Sequence, residues 1–444
     1  DISLYETRKA AWSMMSYLAR LNYSFDDRYT VTGTFRTDGS SRFGVNNRWG
    51  YFPSVSAGWT ISNEPFLKDA LENIATVRIR ASWGKSGNND IGNYSSIAGI
   101  STGSYAFGTT AVSTSRLGGF ADSELGWETT TQTNIGLDLG FFDNRISLSM
   151  EYYNRIISDL LVSNKSLPAY NEINTIAANI GKTQGRGFEL TLSTVNIMNK
   201  DWTWSTDFTF YTFKDNWYER DPNWKPAAYE SKKDPIRSYY SYVSDGLLQV
   251  GEKAPAWQPT LVPGQIKLKN LYDTGTSPNV LDQYDKVNLG SQDPKCTLGL
   301  NNTLRYKNLD FNIYFYGEIG RLRGASYYDA WIVGLGNSLT NVSQQSLHSY
   351  TNANQNTTVP NLIESAYDFG DYYHKKINYL RCRNITLGYT IPVSKSIANS
   401  VRISANVSNP FVFTNWNGVD PETDTGNFSY PNVTSFSFGI DISF

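Results

Sequence analysis

Histidine and cysteine are both scarce in this chain, and this scarcity limits its chemistry. Only two of each occur in 444 residues, and both histidines, His348 and His374, fall in one predicted loop. A Ser-His-Asp triad or a zinc site needs such residues brought together from several elements. Residues 84–86 (GKS) are similar to the end of a phosphate-binding loop, but Ile79 stands where its first glycine belongs. Because the carboxylates are also scattered, we expect no enzyme activity.

Long hydrophobic runs and an excess of one charge are missing too. No apolar run approaches the roughly 18 residues of a transmembrane helix. The formal net charge is −2, which provides neither the basic surface of a nucleic-acid-binding protein nor an acidic tail. Aromatic residues, in contrast, make up 14% of the chain. Interface girdles of a membrane barrel would explain this excess, and so would a surface that binds sugars or peptides.

The chain does have strict alternation of apolar and polar residues, most clearly in residues 434–444 (TSFSFGIDISF). The apolar positions are Phe436, Phe438, Ile440, Ile442 and Phe444. A period of two predicts a strand with one apolar face. The last strand of bacterial outer-membrane barrels has this pattern and ends on an aromatic residue, with apolar side chains toward lipid. Soluble β-sandwich strands alternate in the same way and are the alternative.

The same alternation predicts thirteen strands in all, and hence an all-β fold. They lie near residues 14–25, 29–36, 54–61, 77–83, 127–141, 145–155, 185–195, 202–213, 295–306, 309–321, 377–391, 400–410 and 434–444. Long loops near residues 85–126, 158–184, 214–294, 322–376 and 411–433 alternate with short connections, among them a short helical one near residues 64–73. This division is typical of extracellular loops and periplasmic turns in a transmembrane antiparallel β-barrel. Thirteen strands cannot close an even-numbered barrel, so we expect an odd number of strands upstream.

A terminal strand that descends to the periplasm fixes the orientation of every connection. The loop at residues 85–126 is then extracellular, and the turns at Asp26-Asp27, Asp143-Asn144 and Lys307-Asn308 are periplasmic. We predict that a membrane-impermeant thiol reagent labels a Ser104→Cys variant on whole cells but not an Asn308→Cys variant. The reverse pattern would contradict the orientation.

Several stretches resemble the SusC/RagA-type TonB-dependent transporters of Bacteroidetes. They are residues 36–44 (RTDGSSRFG), 47–54 (NRWGYFPS), 58–59 (GW), 125–129 (LGWET), 185–189 (GRGFE), 379–381 (YLR), 409–411 (NPF) and 418–422 (GVDPE). The resemblance covers residues 1–444 as the C-terminal portion of a barrel. It implies a 22-stranded barrel with a plugged lumen, with nine strands and the plug in an upstream part of the same transporter.

The resemblance also implies a function and partners. The transporter would import an oligomeric nutrient, an oligosaccharide or an oligopeptide, across the outer membrane. A SusD-like surface lipoprotein would cap it, and the TonB complex would act through the plug. A passive porin and a surface glycan-binding protein are the alternatives.

Two groups of loop residues are candidate binding sites. Flat aromatic rings suit sugars and peptide side chains, although they also pack loops together; the candidates are Trp217, Trp224, Tyr239, Tyr240, Tyr242 and Trp257. After residues 263–267 (PGQIK), the family that this chain resembles usually carries a loop rich in Asp, Asn and Gly that is similar to a calcium site. Here Asp273, Asp282 and Asp285 are candidate ligands, but the loop keeps only part of the oxygen-rich set that calcium needs. A solvated acidic loop is the alternative.

Phase along the strands predicts where the charged and sulfur side chains point. Inward positions carry both charges, among them Arg20, Arg78, Arg80, Arg402, Asp138, Glu151, Asp310 and Asp441. Cys296 is predicted to face lipid and Cys382 the lumen, which excludes a disulfide.

Arg381 and Arg383 share the outward phase of Ile385. Because a charge in mid-membrane is costly, both are predicted to reach the phosphates of outer-membrane lipopolysaccharide. Pairing of one of them with a neighbouring acid is the alternative, as is a β-bulge that turns both inward.

Overall fold

The computed structural model describes residues 10–71, 75–167, 175–272, 279–324, 344–361, 368–393, 398–418, 420–423 and 430–444. In chain order the strands are β1 (Met14–Phe25), β2 (Tyr29–Ser40), β3 (Trp49–Thr60), β4 (Ala75–Asn88), β5 (Ile100–Phe107), β6 (Thr110–Leu117), β7 (Glu128–Phe141), β8 (Ile146–Ser158), β9 (Leu161–Ser166), β10 (Thr175–Asn179), β11 (Lys182–Met198), β12 (Trp202–Glu219), β13 (Ser238–Ser241), β14 (Ser244–Leu247), β15 (Ile266–Leu268), β16 (Val287–Ser291), β17 (Cys296–Tyr306), β18 (Leu309–Arg323), β19 (Lys375–Ile391), β20 (Ser400–Thr414) and β21 (Ser435–Ser443). Helix α1 spans Pro65–Leu71, and short 3-10 helices span Ile61–Asn63, Gln283–Asp285 and Gln344–His348. No helix in these ranges is long and apolar enough to cross a membrane.

Thirteen strands form one antiparallel sheet, in the order β1-β2-β3-β4-β7-β8-β11-β12-β17-β18-β19-β20-β21. The predicted number of strands and their sequence order are confirmed. Several strands are longer than predicted at the end next to a long loop. The remaining strands form four two-stranded ribbons inside the long loops, β5-β6, β9-β10, β13-β16 and β14-β15. These ribbons lie in stretches predicted to be long loops, because their strands are too short to show a sustained alternation.

The chain divides into two compact units. Unit 1 consists of Asp1–Asn144, Ser149–Phe188 and Asp215–Trp224, and unit 2 of Arg145–Leu148, Glu189–Lys214 and Lys225–Phe444. Each unit contains strands of the large sheet together with segments of the long loops.

Strand register in unit 1 separates polar and apolar residues into different rows. One row across five strands reads Asn22, Thr32, Ser56, Ser82 and Asn134. The adjacent row reads Tyr23, Val31, Ala57, Ala81 and Ile135. Because neighbouring residues of a strand point to opposite faces, the sheet has a polar face, here called the inner face, and an apolar outer face.

Tight turns close the hairpins where the sequence predicts short connections. Asp26 and Asp27 have φ values of 53° and 52°, and Lys307 has φ of 51°. Asp and Asn tolerate this left-handed region better than most residues, which is why they are frequent in such hairpin loops.

The short connection after β3 is helical, as predicted, and Glu64 holds it against the strands. The Glu64 carboxylate accepts hydrogen bonds from the Tyr29 hydroxyl, from Trp59 Nε1 (2.9 Å) and from Arg28 Nη1 (3.0 Å). These donors, the Tyr29 hydroxyl first, lower the pKa of Glu64. The carboxylate therefore ties the connection to aromatic residues on the outer face.

Hydrophobic cores lie among the loops. In unit 1, Phe43, Ile91 and Leu125 are buried together, with Trp127 packed against them. Phe43 belongs to residues 36–44 and Leu125 to residues 125–129, two of the stretches that carry the resemblance. Those stretches thus meet in one core.

Unit 2 has a second loop core, made of Leu247, Ile266, Leu268, Tyr350 and Tyr373. Gly264 comes just before Ile266 with φ of +88°, and a Cβ there would lie 2.5 Å from the Tyr350 ring. Only glycine suits this position, because it adopts positive φ without strain and leaves room for the ring. The segment at residues 263–267 therefore packs inside the loop core of unit 2.

Candidate substrate-facing wall and loops

The inner face of unit 1 carries a charge cluster in which one guanidinium faces two carboxylates. Arg80 pairs with Asp138 (Nε–Oδ2 3.1 Å) and with Glu151. On the neighbouring strand Gly136 leaves space for this guanidinium, since a Cβ there would lie 2.6 Å from Arg80 Cζ. The charge therefore lies flat on the wall, in the inward phase that the sequence predicts.

Unit 2 shows a comparable pair on its inner face. Arg402 donates two hydrogen bonds to Asp310 (3.1 and 2.6 Å) and lies 3.7 Å from Asp441. Such two-point contacts between guanidinium and carboxylate have fixed geometry. The pair holds β18 and β20 in position across β19.

A ladder of amide side chains crosses the inner face of unit 2. Asn312 donates to Asn301 (2.7 Å), and Asn384 donates to Asn312 (3.1 Å). The ladder continues to Asp207, which accepts from Asn301 (3.5 Å) and from Ser193 Oγ (2.8 Å). Sequence reasoning missed this network, although inward asparagines at matching strand positions could have indicated it. The result is a polar wall whose groups largely satisfy one another.

Two of the predicted aromatic residues lie together in unit 1. The guanidinium of Arg220 lies 3.6 Å from the Trp224 ring centroid and 5.3 Å from that of Trp217. Cation–π contacts of this kind stabilise a loop that is partly exposed to solvent.

The other four predicted aromatics are in unit 2, and each has its own partner. Tyr239 packs on His374 (4.4 Å between centroids), and Tyr242 lies 5.1 Å from the Lys286 ammonium. Trp257 Nε1 donates to a backbone carbonyl (2.8 Å). These contacts show that the rings pack the loops together, whereas contact of these residues with a substrate stays a prediction.

Tyr240 is anchored most firmly of these rings. Its hydroxyl donates to Asp234 Oδ2 (2.7 Å), and its ring packs on Tyr229 at 5.1 Å. Burial, together with the nearby carboxylate, raises the pKa of Tyr240 to about 12. The phenol therefore stays neutral and keeps its hydrogen bond at physiological pH.

The predicted acidic loop shows its carboxylates engaged with the backbone. Asp285 is fully buried and accepts from the amides of Leu271 (2.7 Å), Tyr272 (3.0 Å) and Asp282 (2.9 Å). Asp282 in turn accepts from the amide of Tyr284 (2.8 Å).

These two carboxylates alone cannot complete a calcium site, because calcium needs six or more oxygen ligands and three of their four oxygens already accept amide hydrogen bonds. Within the described ranges no group of three or more His, Cys, Asp or Glu side chains could hold a metal ion. Asp273 lies outside those ranges, so a site that includes it stays a prediction.

Arg381 and Arg383 do not point toward lipid, which corrects the predicted contact with lipopolysaccharide. Arg381 is 3% exposed and donates to Glu422 Oε1 (2.7 Å) and Asp420 Oδ2 (2.9 Å). Arg383 pairs with Glu422 Oε2 (2.8 Å), and Arg323 donates to the Glu422 carbonyl (2.8 Å). We call these five residues the loop clamp, since Asp420 and Glu422 belong to the last long loop.

A β-bulge explains the correction. The register of β19 shifts between Cys382 and Asn384, so that Arg381 stands opposite Tyr316 and Cys382 opposite Phe315. Tyr316 is on the inner face and Phe315 on the outer face. One extra residue thus exchanges the faces of everything beyond it.

The same bulge makes the predicted face of Cys382 wrong, whereas Cys296 lies on the outer face as predicted. Both thiols are free. They belong to β17 and β19, and β18 runs between these strands. Two strand spacings are about 10 Å, beyond the reach of a disulfide.

With the fold and wall in place, comparison with known proteins identifies the family. A family model described as TonB dependent receptor-like, beta-barrel matches residues 5–409. The chain belongs to this family.

Two curated relatives of this TonB-dependent receptor barrel refine the assignment. The chain is 32% identical to TonB-dependent receptor SusC of Bacteroides thetaiotaomicron, over 99% of this chain and 44% of that protein. It is 31% identical to TonB-dependent receptor P3 of Formosa agariphila, over 97% of this chain and 45% of the relative. The receptor barrel thus spans about half the length of these relatives and is of the SusC/RagA type. Such receptors are located in the outer membrane.

A solved structure agrees with this assignment. The receptor barrel superposes on the structure described as the RagAB peptide transporter with a TM-score of 0.82 and 25% identity, covering 99% of this chain and 48% of that one.

Proposed function

We propose that this chain is the C-terminal barrel portion of a TonB-energised importer of an oligomeric nutrient, working with a SusD-like lipoprotein. The observation that carries the proposal is the thirteen-stranded sheet, which combines an apolar outer face with a hydrogen-bonded polar inner face. Such a wall suits a polar cargo in a membrane-embedded passage. Support for energised import comes from similarity to the receptor SusC and to the RagAB peptide transporter.

We further propose that the upstream part of the transporter supplies the plug, through which the TonB complex would act, and that the cargo passes unchanged. A wall that only binds and releases its cargo needs no catalytic group. Mass spectrometry of cargo recovered from the periplasm should therefore show the same oligomer that was supplied outside. Recovery of shortened products with the purified transporter alone would contradict a purely transporting role.

The test of the importer is uptake by cells that carry the complete transporter and its lipoprotein. Labelled oligosaccharide and oligopeptide pools are supplied to cells with and without a functional TonB complex. We expect uptake to fall by roughly tenfold or more without TonB, because closure by a plug leaves no passive path. Equal uptake in both strains would instead indicate the passive porin.

A further strain lacks only the lipoprotein. Uptake should fall in this strain, although the barrel is still recovered from its outer membranes after detergent extraction. Retention of labelled glycan at the cell surface without any entry, in every strain, would favour the surface glycan-binding alternative.

A further inference from the structure

Arg186 points away from the inner face of unit 1. On β8, Glu151 pairs with Arg80 on the inner face, and Tyr153 shares that face because it is two residues further along the strand. A Cβ on Gly187 would lie 2.5 Å from the Tyr153 ring, so Gly187 is on the inner face as well. Its neighbour Arg186 is therefore on the outer face, where its side chain is exposed.

A second exposed cation, Lys85, lies on the outer face of β4. It stands opposite Thr131 of β7 and has the same phase as Trp83, two residues before it, which is exposed on the outer face. Both strands belong to unit 1. The face of this unit that is directed away from the lumen thus carries two positive charges.

Two neutral amide side chains hold Arg186 in place on this face. Arg186 Nε donates to Asn154 Oδ1 (3.3 Å), and the same oxygen accepts from Gln184 Nε2 (2.8 Å). Gln184 is buried, so it fixes the orientation of Asn154. The contact uses one of the five N–H donors of the guanidinium, and its two terminal nitrogens are left for a ligand. We call Lys85, Asn154, Gln184 and Arg186 the outer rim.

The outer rim lies where the apolar band of a membrane barrel ends. Toward the long loops, which mark the extracellular end, Asn154 is eight residues beyond the first residue of β8, and Lys85 is ten residues beyond that of β4. With a rise of about 3.3 Å per residue and a tilt of about 40°, they lie about 20 and 25 Å up a band that is about 25 Å tall. Trp83 and Tyr152, both exposed, lie just below, at the depth typical of interfacial aromatic residues.

The outer rim is positively charged. Within the described ranges neither Arg186 nor Lys85 forms an ion pair with a carboxylate. Lys182, also on β11, shows the contrast, because its ammonium pairs with Glu219 (2.7 Å). The two unpaired cations therefore favour an anionic ligand at the level of the lipid headgroups.

This surface faces lipid in the complete barrel as well. Strands added upstream can pair only with the free edges of the sheet, at β1 and β21, and a plug lies on the inner side. The strands of the outer rim, β4, β8 and β11, are the fourth, sixth and seventh of the thirteen in sheet order. Their outer face is thus distant from both edges and meets the outer leaflet of the membrane.

We infer that the outer rim binds a phosphate group of outer-membrane lipopolysaccharide. A guanidinium fork and an ammonium group match phosphate oxygens in charge and hydrogen bonding, and the apolar face below them suits the acyl chains of the same molecule. The sequence predicts this ligand at Arg381 and Arg383, which point inward; the geometry moves the contact to Arg186 and Lys85. The inference rests on the outer-membrane location and is independent of the cargo.

The test compares two lipids that differ only in their phosphates. Native mass spectrometry of the detergent-purified complete transporter measures its affinity for phosphorylated lipid A and for the same lipid A after enzymatic removal of its phosphates. We expect the wild type to bind the phosphorylated lipid several-fold more tightly. The double variant Lys85→Gln/Arg186→Gln should lose roughly tenfold of this affinity and bind the dephosphorylated lipid as the wild type does.

Arg155→Gln is the matched control. Arg155 follows Asn154 on β8 but lies on the inner face, near Gly185, so its removal changes the total charge by the same sign without touching the outer rim. This variant should keep the wild-type affinity for both lipids.

Several outcomes would overturn the inference. Equal wild-type affinity for the two lipids would do so, and this comparison needs no variant to assemble. Equal loss of both lipids in the double variant would indicate a structural role for the two cations. A comparable loss in Arg155→Gln would show that binding follows total charge and not the outer rim. Tighter binding of phosphatidylglycerol than of phosphorylated lipid A would assign the site to phospholipid.

Discussion

Arg381→Met is expected to release the last long loop from the wall of unit 2. The Arg381 guanidinium is 3% exposed and pairs with the carboxylates of Asp420 and Glu422. Removing one partner of a buried ion pair costs about 3–5 kcal/mol, because the other charge stays buried and unpaired. We expect proteolysis of the complete transporter to cleave faster within residues 411–433, and its thermal unfolding temperature to fall.

The control separates charge from packing. A triple variant, Arg381→Met with Asp420→Asn and Glu422→Gln, leaves no buried carboxylate without a partner. Only Arg383, which is partly exposed to solvent, loses its ion pair, so the triple variant should recover much of the lost stability. Arg116→Met, on an exposed ribbon, should leave both measurements unchanged. A triple variant as unstable as Arg381→Met would show that the loop clamp acts through shape and not through charge.

The pH dependence of the loop clamp follows from Asp420. Burial alone would raise its pKa, but backbone amides of Glu422 and Asn432 and the charge of Arg381 outweigh burial and lower it. A lowered folded-state pKa stabilises the fold above the ordinary value of about 4, and this stabilisation is lost as pH falls through the folded pKa. Protease resistance of the loop should therefore be constant between about pH 7 and 5 and decline only below about pH 4.

The sequence predicts the large sheet well because its signal is local. Alternation predicts which residues of β1 to β4 lie on each face of the sheet. The Asp26-Asp27 pair predicts the turn between β1 and β2, because Asp tolerates the positive φ that both residues adopt there. Neither needs knowledge of distant residues. The stretches shared with relatives, in turn, mark the loop core around Phe43 and Leu125.

The sequence leaves a β-bulge and an acidic partner as alternatives for Arg381 and Arg383, and it could not select them for two physical reasons. A β-bulge adds one residue without leaving a mark in the alternation, so Arg381 and Cys382 exchange faces beyond it. The partners of Arg381 are also some forty residues away in a loop, where no periodicity relates them to the strand.

Placing a charge on the apolar face of the terminal strand tests the membrane orientation of the whole sheet. Phe438 lies near the middle of β21, opposite Ala405 on β20, and is 84% exposed on the outer face. An arginine facing lipid near the membrane midplane costs about 2–4 kcal/mol. We therefore expect Phe438→Arg in the complete transporter to reduce the amount of folded barrel in outer membranes severalfold, measured as the heat-modifiable band in electrophoresis.

The adjacent residue provides a matched control. Ser437 stands opposite Asn406, and both are on the inner face. Ser437→Arg adds the same charge at nearly the same depth, but the guanidinium enters a polar and hydrated environment, where it needs no desolvation. This variant should assemble close to the wild-type level. If Ser437→Arg lost as much folded barrel as Phe438→Arg, or more, the assignment of the apolar face to lipid would be wrong, because the penalty belongs to whichever side chain meets the hydrocarbon.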